Sequence, residues 1–287
     1  MSTVKHMEET LIKTAEELMS SKKLNIRLMD TLHSRQSVLF VLLCLISSFS
    51  CLSTVSAEEK TPILIPMYTY HTHAPFILQE KEGLSYDLAD YLTKKSSGQY
   101  EFVVKSMSRP RVNKMTEEGE AGIVPWVNPV WFKDAMEKKH LWSRGVLMED
   151  ANALVSHQDA KIVYDGPESL NGMVFGGVRS HVYAEIDDYI KHTGRIKRVD
   201  AENHLDNFRK LVKHRIDATI TPKSGAEFII KAENLQGELF LSPKPHSTYK
   251  RRVIVIEERT GLLPFIETTI AMMSTDIEWE RIMKKYR

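Results

Sequence analysis

The sequence predicts an α/β protein whose sheet is mostly parallel. Short apolar runs that are typical of buried strands alternate with stretches that are apolar at helical spacing. No repeat or low-complexity segment interrupts this alternation. Cysteine usage is the third observation, because Cys44 and Cys51 are the only cysteines and both precede residue 58. The rest of the chain cannot be a small disulfide-stapled scaffold and must depend on its core.

The predicted elements follow one another from residue 63 onwards. Strands are predicted at 63–67, 100–104, 122–124, 151–156, 174–178, 216–220, 239–242 and 253–257. Helices are predicted at 85–92, 111–118, 181–192, 202–214 and 225–233, with two more after the last strand. Ser85 is placed to cap the first of these helices, and Gly119 to end the second.

The apolar run at 38–46 predicts a secretory signal. Arg35 provides a basic flank, and Ala57 ends a small-residue cleavage site. The run is about half as long as the roughly 20 apolar residues that a membrane span requires. We therefore expect residues 1–57 to be a leader that is cleaved after Ala57, and the mature protein to be located in the periplasm.

The leader leaves some alternatives open. Residues 29–57 are the expected signal peptide, and residues 1–28 either precede the true start at Met29 or form a long amino-terminal region. A third alternative is that the leader is not cleaved and anchors the protein in the membrane. A lipoprotein signal at Cys51 is set aside, because the residues before it lack the aliphatic side chain that such a signal requires.

Charge and motifs exclude several classes of function. The leader accounts for six of the 39 basic and five of the 38 acidic residues, so 33 of each remain. This balance argues against a nucleic-acid surface, which needs a strong basic excess. The chain has no nucleophile elbow, P-loop or dinucleotide fingerprint, so we expect no enzyme and no cofactor. His71 and His73 share a face, but they lack further spaced ligands, so no metal site is expected.

Six local patterns, in order along residues 60–287, resemble those of the periplasmic solute-binding proteins of amino-acid-type ABC transporters. They are Ala74-Pro75-Phe76 with 83–89, Glu118-Gly119-Glu120-Ala121-Gly122-Ile123, Leu141-Trp142-Ser143, 170–176, Arg215-Ile216-Asp217-Ala218 and 279–283. The resemblance implies the two-lobed type II periplasmic-binding-protein fold, in which each lobe is a mostly parallel sheet flanked by helices. A ligand would bind between the lobes, and a hinge motion would close them.

This fold implies a particular division of the chain. The first lobe would comprise residues 58–155 and 245–287, and the second lobe residues 156–244. The expected partners are a small-molecule ligand and an inner-membrane ABC permease, or a membrane sensor in its place. We expect no nucleic-acid partner and a monomeric protein.

The sequence departs from the family pattern at both ends of the expected ligand. The family's carboxylate-clamping arginine falls on Lys133 or a neighbour, and lysine cannot form the same bidentate fork. The family's acidic anchor for the ligand ammonium falls in Thr221-Pro222-Lys223, which contains no acid. We therefore expect a small polar or anionic molecule that is amino-acid-like but is not a standard α-amino acid.

The resemblance and the loop positions nominate eleven ligand-binding residues. Arg179 could supply the cation that the first lobe lacks, and Ser180 could both cap a helix and face the cleft. For each residue the competing reading is structural, such as core packing for Trp126, capping for Ser180 and solvent exposure for Arg179. The full set is Tyr68, Tyr70, His73, Phe76, Trp126, Asn128, Lys133, Arg179, Ser180, His181 and Thr221.

Two other functions compete with transport. A protein with this fold could instead be an accessory or sensory module that signals to a membrane receptor when its ligand is bound. An enzyme on this scaffold is the least favoured reading, because no acid–base or nucleophile–base constellation can be named.

Overall fold

A computed structural model describes residues 13–17, 19–20, 61–256 and 261–287. The chain divides into the units Met1–Glu59 and Lys60–Arg287, and the few described residues of the first unit are helical and exposed. The expected signal core and the cleavage site after Ala57 lie outside the described residues. No helix in the described part combines the length and the apolar character needed to cross a membrane.

Ten strands and seven helices make up the second unit as described. The strands are β1 (Ile63–Thr69), β2 (Tyr100–Ser106), β3 (Gly122–Val127), β4 (Leu141–Trp142), β5 (Met148–His157), β6 (Val174–Val178), β7 (Lys197–Ala201), β8 (Ala218–Pro222), β9 (Leu239–Leu241) and β10 (Ser247–Ile256). The helices are α1 (Leu84–Lys95), α2 (Arg109–Glu118), α3 (Ala184–Thr193), α4 (His204–Val212), α5 (Lys223–Ala232), α6 (Leu262–Met273) and α7 (Ile277–Lys284).

The strands form one continuous sheet in the order β2-β1-β3-β10-β5-β8-β6-β7, with β4 beside β10 and β9 beside β5. Parallel pairs occur at both ends, where β1 lies between β2 and β3, and β6 lies between β7 and β8. The middle is antiparallel, because β10 pairs with both β3 and β5. Here the first lobe denotes the part of the chain around the parallel group β1, β2 and β3, and the second lobe the part around the parallel group β6, β7 and β8.

Strands β5 and β10 join the two lobes. The first half of β10 pairs with β5, from Ser247 opposite Asn152 to Arg251 opposite Met148. From Arg252 onwards β10 pairs with β3 of the first lobe, and a register shift interrupts this pairing between Arg252 and Ile254. A bulge of this kind bends a strand, so the path between the lobes turns at this point.

Each lobe has its own hydrophobic core. In the first lobe, α1 buries Leu84, Leu88 and Leu92 against β1 and the carboxyl-terminal helices, because these residues recur at helical spacing. In the second lobe, Phe175 and Ile186 pack on one face of the sheet, with Phe208 on the other. Burial of apolar surface in both cores stabilises the fold without disulfides, as the cysteine pattern predicted.

Local differences from the predictions have simple causes. The short polar strand β7 was not predicted, because its sequence Lys-Arg-Val-Asp-Ala lacks an apolar run and it lies at the sheet edge. Ser85 does not cap α1, whose N-cap is Gly83; its hydroxyl is buried and accepts a hydrogen bond from Trp126. Ser180 does not cap α3 either, because that helix begins at Ala184.

Gly122 at the start of β3 provides a test of the packing between β1 and β3. It has φ +152°, and a Cβ there would lie 2.5 Å from the carbonyl oxygen of Pro66. We expect Gly122→Ala to lower the free energy of unfolding by about 3 kcal/mol or more, since strain and overpacking add. Gly98 also has a positive φ but has open space around it, so Gly98→Ala should cost about 1 kcal/mol. Urea denaturation measures both, and equal losses would contradict this account.

Candidate functional site

The loop after β1 places a cluster of rings at the carboxyl end of that strand. The ring centroids of Tyr70 and His71 are 4.2 Å apart, and those of His71 and His73 are 5.7 Å apart. Both imidazoles also contact Phe76, at 5.2 Å and 5.4 Å. Sites in such sheets form outside the carboxyl ends of parallel strands, which is where this loop lies.

The second lobe contributes His204 to the same cluster. This residue is the first of α4, and its ring centroid lies 5.7 Å from that of His73 in an edge-on arrangement. The lobes also approach closely at Gly225 of α5, where a Cβ would lie 2.8 Å from the Ala74 carbonyl oxygen. The cluster therefore spans both lobes, and a closing motion would change its size.

A buried ion pair lies between the strands that connect the lobes. Arg251 Nη2 lies 2.9 Å from Asp150 Oδ2, and each side chain is only 1% exposed. Arg251 also donates to the Trp126 carbonyl and to the Tyr249 hydroxyl. Asp150 accepts hydrogen bonds from the backbone and the hydroxyl of Ser224, which anchors the start of α5.

Burial keeps the cluster histidines neutral. It lowers the pKa values of His71 and His73 well below the usual value, and the Arg251 guanidinium lowers both further. Burial and, secondarily, His181 lower the pKa of His204 to about 4. The cluster therefore presents neutral imidazoles near neutral pH.

Several buried polar atoms of the cluster have no hydrogen-bond partner in the described part of the chain. They are Tyr70 Oη, His71 Nε2, His73 Nε2 and His204 Nδ1. Nearly all buried polar atoms in folded proteins are paired, so a group of unpaired atoms marks a place where a polar ligand or ordered water can bind. His71 hydrogen-bonds the Trp126 backbone, which leaves Nε2 as its second polar atom.

Arg109 supplies a cation beside this cluster. Its guanidinium lies over the rings of Tyr70 and Phe132, at 4.4 Å and 4.3 Å. It donates to Asn113 and to the Trp131 carbonyl but makes no ion pair with any described carboxylate. A partly buried guanidinium without a counterion favours an anionic ligand.

Some of the eleven nominated residues lie in or against this cluster. Tyr70, His73 and Phe76 belong to it, and Trp126 is fully buried beneath it with its ring centroid 5.3 Å from that of Phe76. Asn128 caps the turn after β3 and donates to the Lys250 carbonyl, which makes it a structural link to the connecting strands.

The other nominated residues have different surroundings. Lys133 and Ser180 are exposed, and Arg179 forms an exposed ion pair with Glu202 at 2.7 Å. Tyr68 packs in the core of the first lobe. His181 is exposed and lies 4.7 Å from Tyr183 between ring centroids, whereas Thr221 is buried at the end of β8 with an unpaired hydroxyl.

The sequence reasoning missed His204, Arg109 and the pair Asp150–Arg251. A signal existed for the first two, because each opens the helix that follows a parallel strand, where ligand sites concentrate. No local signal identified Asp150 or Arg251, which are charged residues in strands whose pairing only the fold reveals.

An open cavity of about 510 Å³ lies between the lobes but away from the ring cluster. Pro75, Ser224, Tyr249 and Tyr286 are among its lining residues. Four of its charged side chains are paired with one another, Lys223 with Glu227 and Lys250 with Glu149, and a fifth, Asp150, is paired with Arg251. The ring cluster is the stronger candidate site, because its unpaired atoms are buried.

The sequence matches no family model and no curated protein. Solved structures share the fold. An ancestral arginine-binding protein bound to arginine is 20% identical, with a TM-score of 0.60 over 79% of this chain and 99% of that one. A substrate-binding protein of an ABC uptake transporter from Streptococcus pneumoniae with bound histidine is 15% identical, with a TM-score of 0.59 over 78% and 92%.

A third similar structure comes from a sensor. The periplasmic VFT2 domain of BvgS from Bordetella pertussis is 18% identical, with a TM-score of 0.51 over 78% of this chain and 93% of that one. Together these likenesses confirm the predicted two-lobed periplasmic-binding-protein fold and the resemblance at the level of the fold.

The ion pair Asp150–Arg251 predicts a large loss of stability when one partner is neutralised. Asp150→Asn leaves the Arg251 guanidinium buried without a counterion, so the free energy of unfolding should fall by about 3–5 kcal/mol. The neighbouring pair Glu149–Lys250 is exposed, and Glu149→Gln should change stability by less than about 1 kcal/mol. Denaturant titration compares the two variants, and similar effects would contradict the role given to the buried pair.

The depressed pKa of His204 predicts a loss of stability at acid pH. The unfolded chain binds a proton near pH 6.5 and the folded chain only near pH 4, so stability is complete above 6.5 and falls as the pH approaches 4. Between pH 6.5 and pH 4, His204 should lower the free energy of unfolding by about 3 kcal/mol. His204→Gln should remove that part of the slope, whereas His192→Gln, on an exposed histidine, should keep it. Identical pH profiles for wild type and His204→Gln would refute the assignment.

Proposed function

We propose that the protein is an extracytoplasmic solute-binding protein that captures a small organic anion between its two lobes. The observation that carries this proposal is the group of unpaired polar atoms contributed by both lobes, on Tyr70, His71, His73 and His204. A ligand that pairs with atoms of both lobes favours the closed arrangement, because it binds that state better than an open one.

The proposed ligand has two parts. Arg109 holds its anionic group, since this guanidinium has no carboxylate partner among the described residues and leaves Nη1 free of hydrogen bonds there. The neutral imidazoles and the Tyr70 hydroxyl hold an uncharged polar part. Arg109 thus takes over the function of the family's arginine from a different element, and Lys133 is not required for it.

Several other nominated residues would also line or contact the ligand in this proposal. Phe76 provides an apolar wall against both cluster histidines, and Trp126 supports that wall from below. Thr221 and His181 are candidates for contacts from the second lobe, because Thr221 carries an unpaired buried hydroxyl and His181 lies close enough to lower the pKa of His73. Arg179 and Ser180 would require a rearrangement of their exposed loop.

Transport is the favoured context. Amino-acid-binding proteins of importers share the fold, and the apolar run at 38–46 predicts export, so we propose a periplasmic protein, cut after Ala57, that delivers its ligand to an inner-membrane ABC permease. We also propose that the chain crosses between the lobes near residues 155 and 244 and that the protein is a monomer.

A sensory module is the second candidate. The sensor VFT2 domain shares the fold, and the family's acidic anchor for an ammonium group is absent from Thr221-Pro222-Lys223. Genes for a permease and an ATPase beside this gene would favour transport, whereas a kinase or cyclase gene would favour sensing.

A thermal-shift screen against amino acids, organic acids, amines and short peptides tests ligand capture. A ligand present at a hundredfold excess over its Kd should raise the Tm by about 5–10 °C. Hits should be anions. The absence of any stabilising compound from a broad library would count against a solute-binding role.

Two variants of α2 test the anion site. Arg109→Met should weaken binding of the hit at least about tenfold, because it removes a charge-assisted hydrogen-bond donor. Arg111→Met on the exposed side of the same helix is the matched control and should leave the Kd unchanged. Isothermal titration calorimetry measures both, and equal affinities for Arg109→Met and wild type would place the anion elsewhere.

A further inference from the structure

A second cluster of possible ligands lies in the second lobe, at the end of β5. One ring nitrogen of His157, one ring nitrogen of His214 and one carboxylate oxygen of Asp159 all lie within 4.8 Å of one another. His157 is the last residue of β5, Asp159 lies in the turn that follows, and His214 lies in the connection between α4 and β8. Two separate pieces of chain therefore meet here.

This cluster lies away from the ring cluster between the lobes. Strand β5 runs antiparallel to β8, with Asn152 opposite Pro222 and Ser156 opposite Ala218. His157 is therefore next to the beginning of β8, whereas the ring cluster lies at the carboxyl ends of the parallel strands. A ligand bound at His157 would not compete with a solute in the cleft.

Distances within the cluster match those of a tetrahedral metal site. His157 Nδ1 lies 3.4 Å from Asp159 Oδ2. Two ligand atoms about 2.05 Å from a tetrahedral Zn²⁺ are separated by about 3.4 Å. The planes of the His157 and His214 rings are tilted by 45° with centroids 4.1 Å apart, and one nitrogen of the exposed His214 ring lies within 4.8 Å of the other two ligand atoms.

The surroundings of His157 also suit a metal ligand. Its Nδ1 accepts a hydrogen bond from the Asp159 backbone N–H, so this nitrogen carries a lone pair and the proton lies on Nε2. A metal ion would replace that N–H as the partner of Nδ1. Glu238 Oε2 lies 3.7 Å from Nε2, just beyond hydrogen-bonding distance, on the side from which a carboxylate can approach to orient a metal-bound histidine.

We propose that His157, His214 and Asp159 bind a divalent transition metal of the Zn²⁺ class, with Glu238 orienting His157. Two imidazoles and one carboxylate are suitable ligands for Zn²⁺. Cu²⁺ and Ni²⁺ bind to comparable sets of ligands. The ion would join the end of β5 to the connection before β8 and would thereby stabilise the second lobe. Water would complete the coordination.

Zn²⁺ titration of the purified, metal-free protein tests the proposal. We expect uptake of one ion and, at a hundredfold excess over the Kd, a rise in Tm of about 5–10 °C. Co²⁺ in place of Zn²⁺ should give the strong visible absorption of a tetrahedral site. Failure to bind one ion per chain would overturn the proposal.

Substitutions in and beside the proposed metal site test where the ion binds. His214 has φ +49°, so His214→Asn removes the imidazole while keeping a residue that tolerates this backbone conformation. This variant should bind Zn²⁺ at least about tenfold more weakly, and Glu238→Gln should weaken binding by about tenfold. Circular dichroism establishes that each variant is folded.

Two further variants serve as controls. His192→Ala, on an exposed histidine of α3, should bind Zn²⁺ as the wild type does. His204→Asn tests the histidines between the lobes. If His204→Asn abolishes Zn²⁺ uptake while His214→Asn preserves it, the ion binds in the cleft and the site at His157 is refuted.

Discussion

The buried pair Asp150–Arg251 is the interaction on which the arrangement of the two lobes depends. Asp150 lies on β5 and Arg251 on β10, the two strands that connect the lobes, and both side chains are almost completely excluded from solvent. Asp150 accepts from the start of α5 in the second lobe, while Arg251 donates to the Trp126 carbonyl in the first. One ion pair therefore fixes both lobes to the connecting strands.

The same pair determines the charge of the candidate site. An unpaired arginine near His71 and His73 would provide a strong anion site by itself. Because Asp150 neutralises Arg251, the imidazoles face a cluster without net charge, and burial then suppresses their protonation. The cation available to a ligand is instead Arg109, which is held by aromatic rings and hydrogen bonds but by no described carboxylate.

The sequence reasoning succeeded where a local pattern carries the information. Apolar runs located most strands, and helical spacing located α1 and α4, because burial of one face imposes those periods. It failed at β7, an edge strand that needs little apolar character, and at Ser85 and Ser180, whose hydroxyls were expected to cap helices. Capping depends on where the helix begins, and a shift of a few residues removes the function.

For the candidate site, the sequence nominated residues of the loop after β1, because a strand end followed by His73 and Phe76 is visible without coordinates. It could not identify the partners of that loop. His204 approaches His73 from the other lobe, and Arg251 meets Asp150 from 101 residues away. Such pairings depend on strand order and register, which arise from packing of the whole sheet.

The sequence by itself therefore determined the fold class, the absence of stapling disulfides after residue 58 and the departures from the family's amino-acid clamp. The first two follow from residue types and their spacing, and the third follows from comparison with the family that the sequence resembles. Only the tertiary structure decided which histidines meet, and that Arg251 but not Arg109 is paired with a carboxylate among the described residues. Burial and pairing set the charge of a side chain, and both are properties of the folded chain.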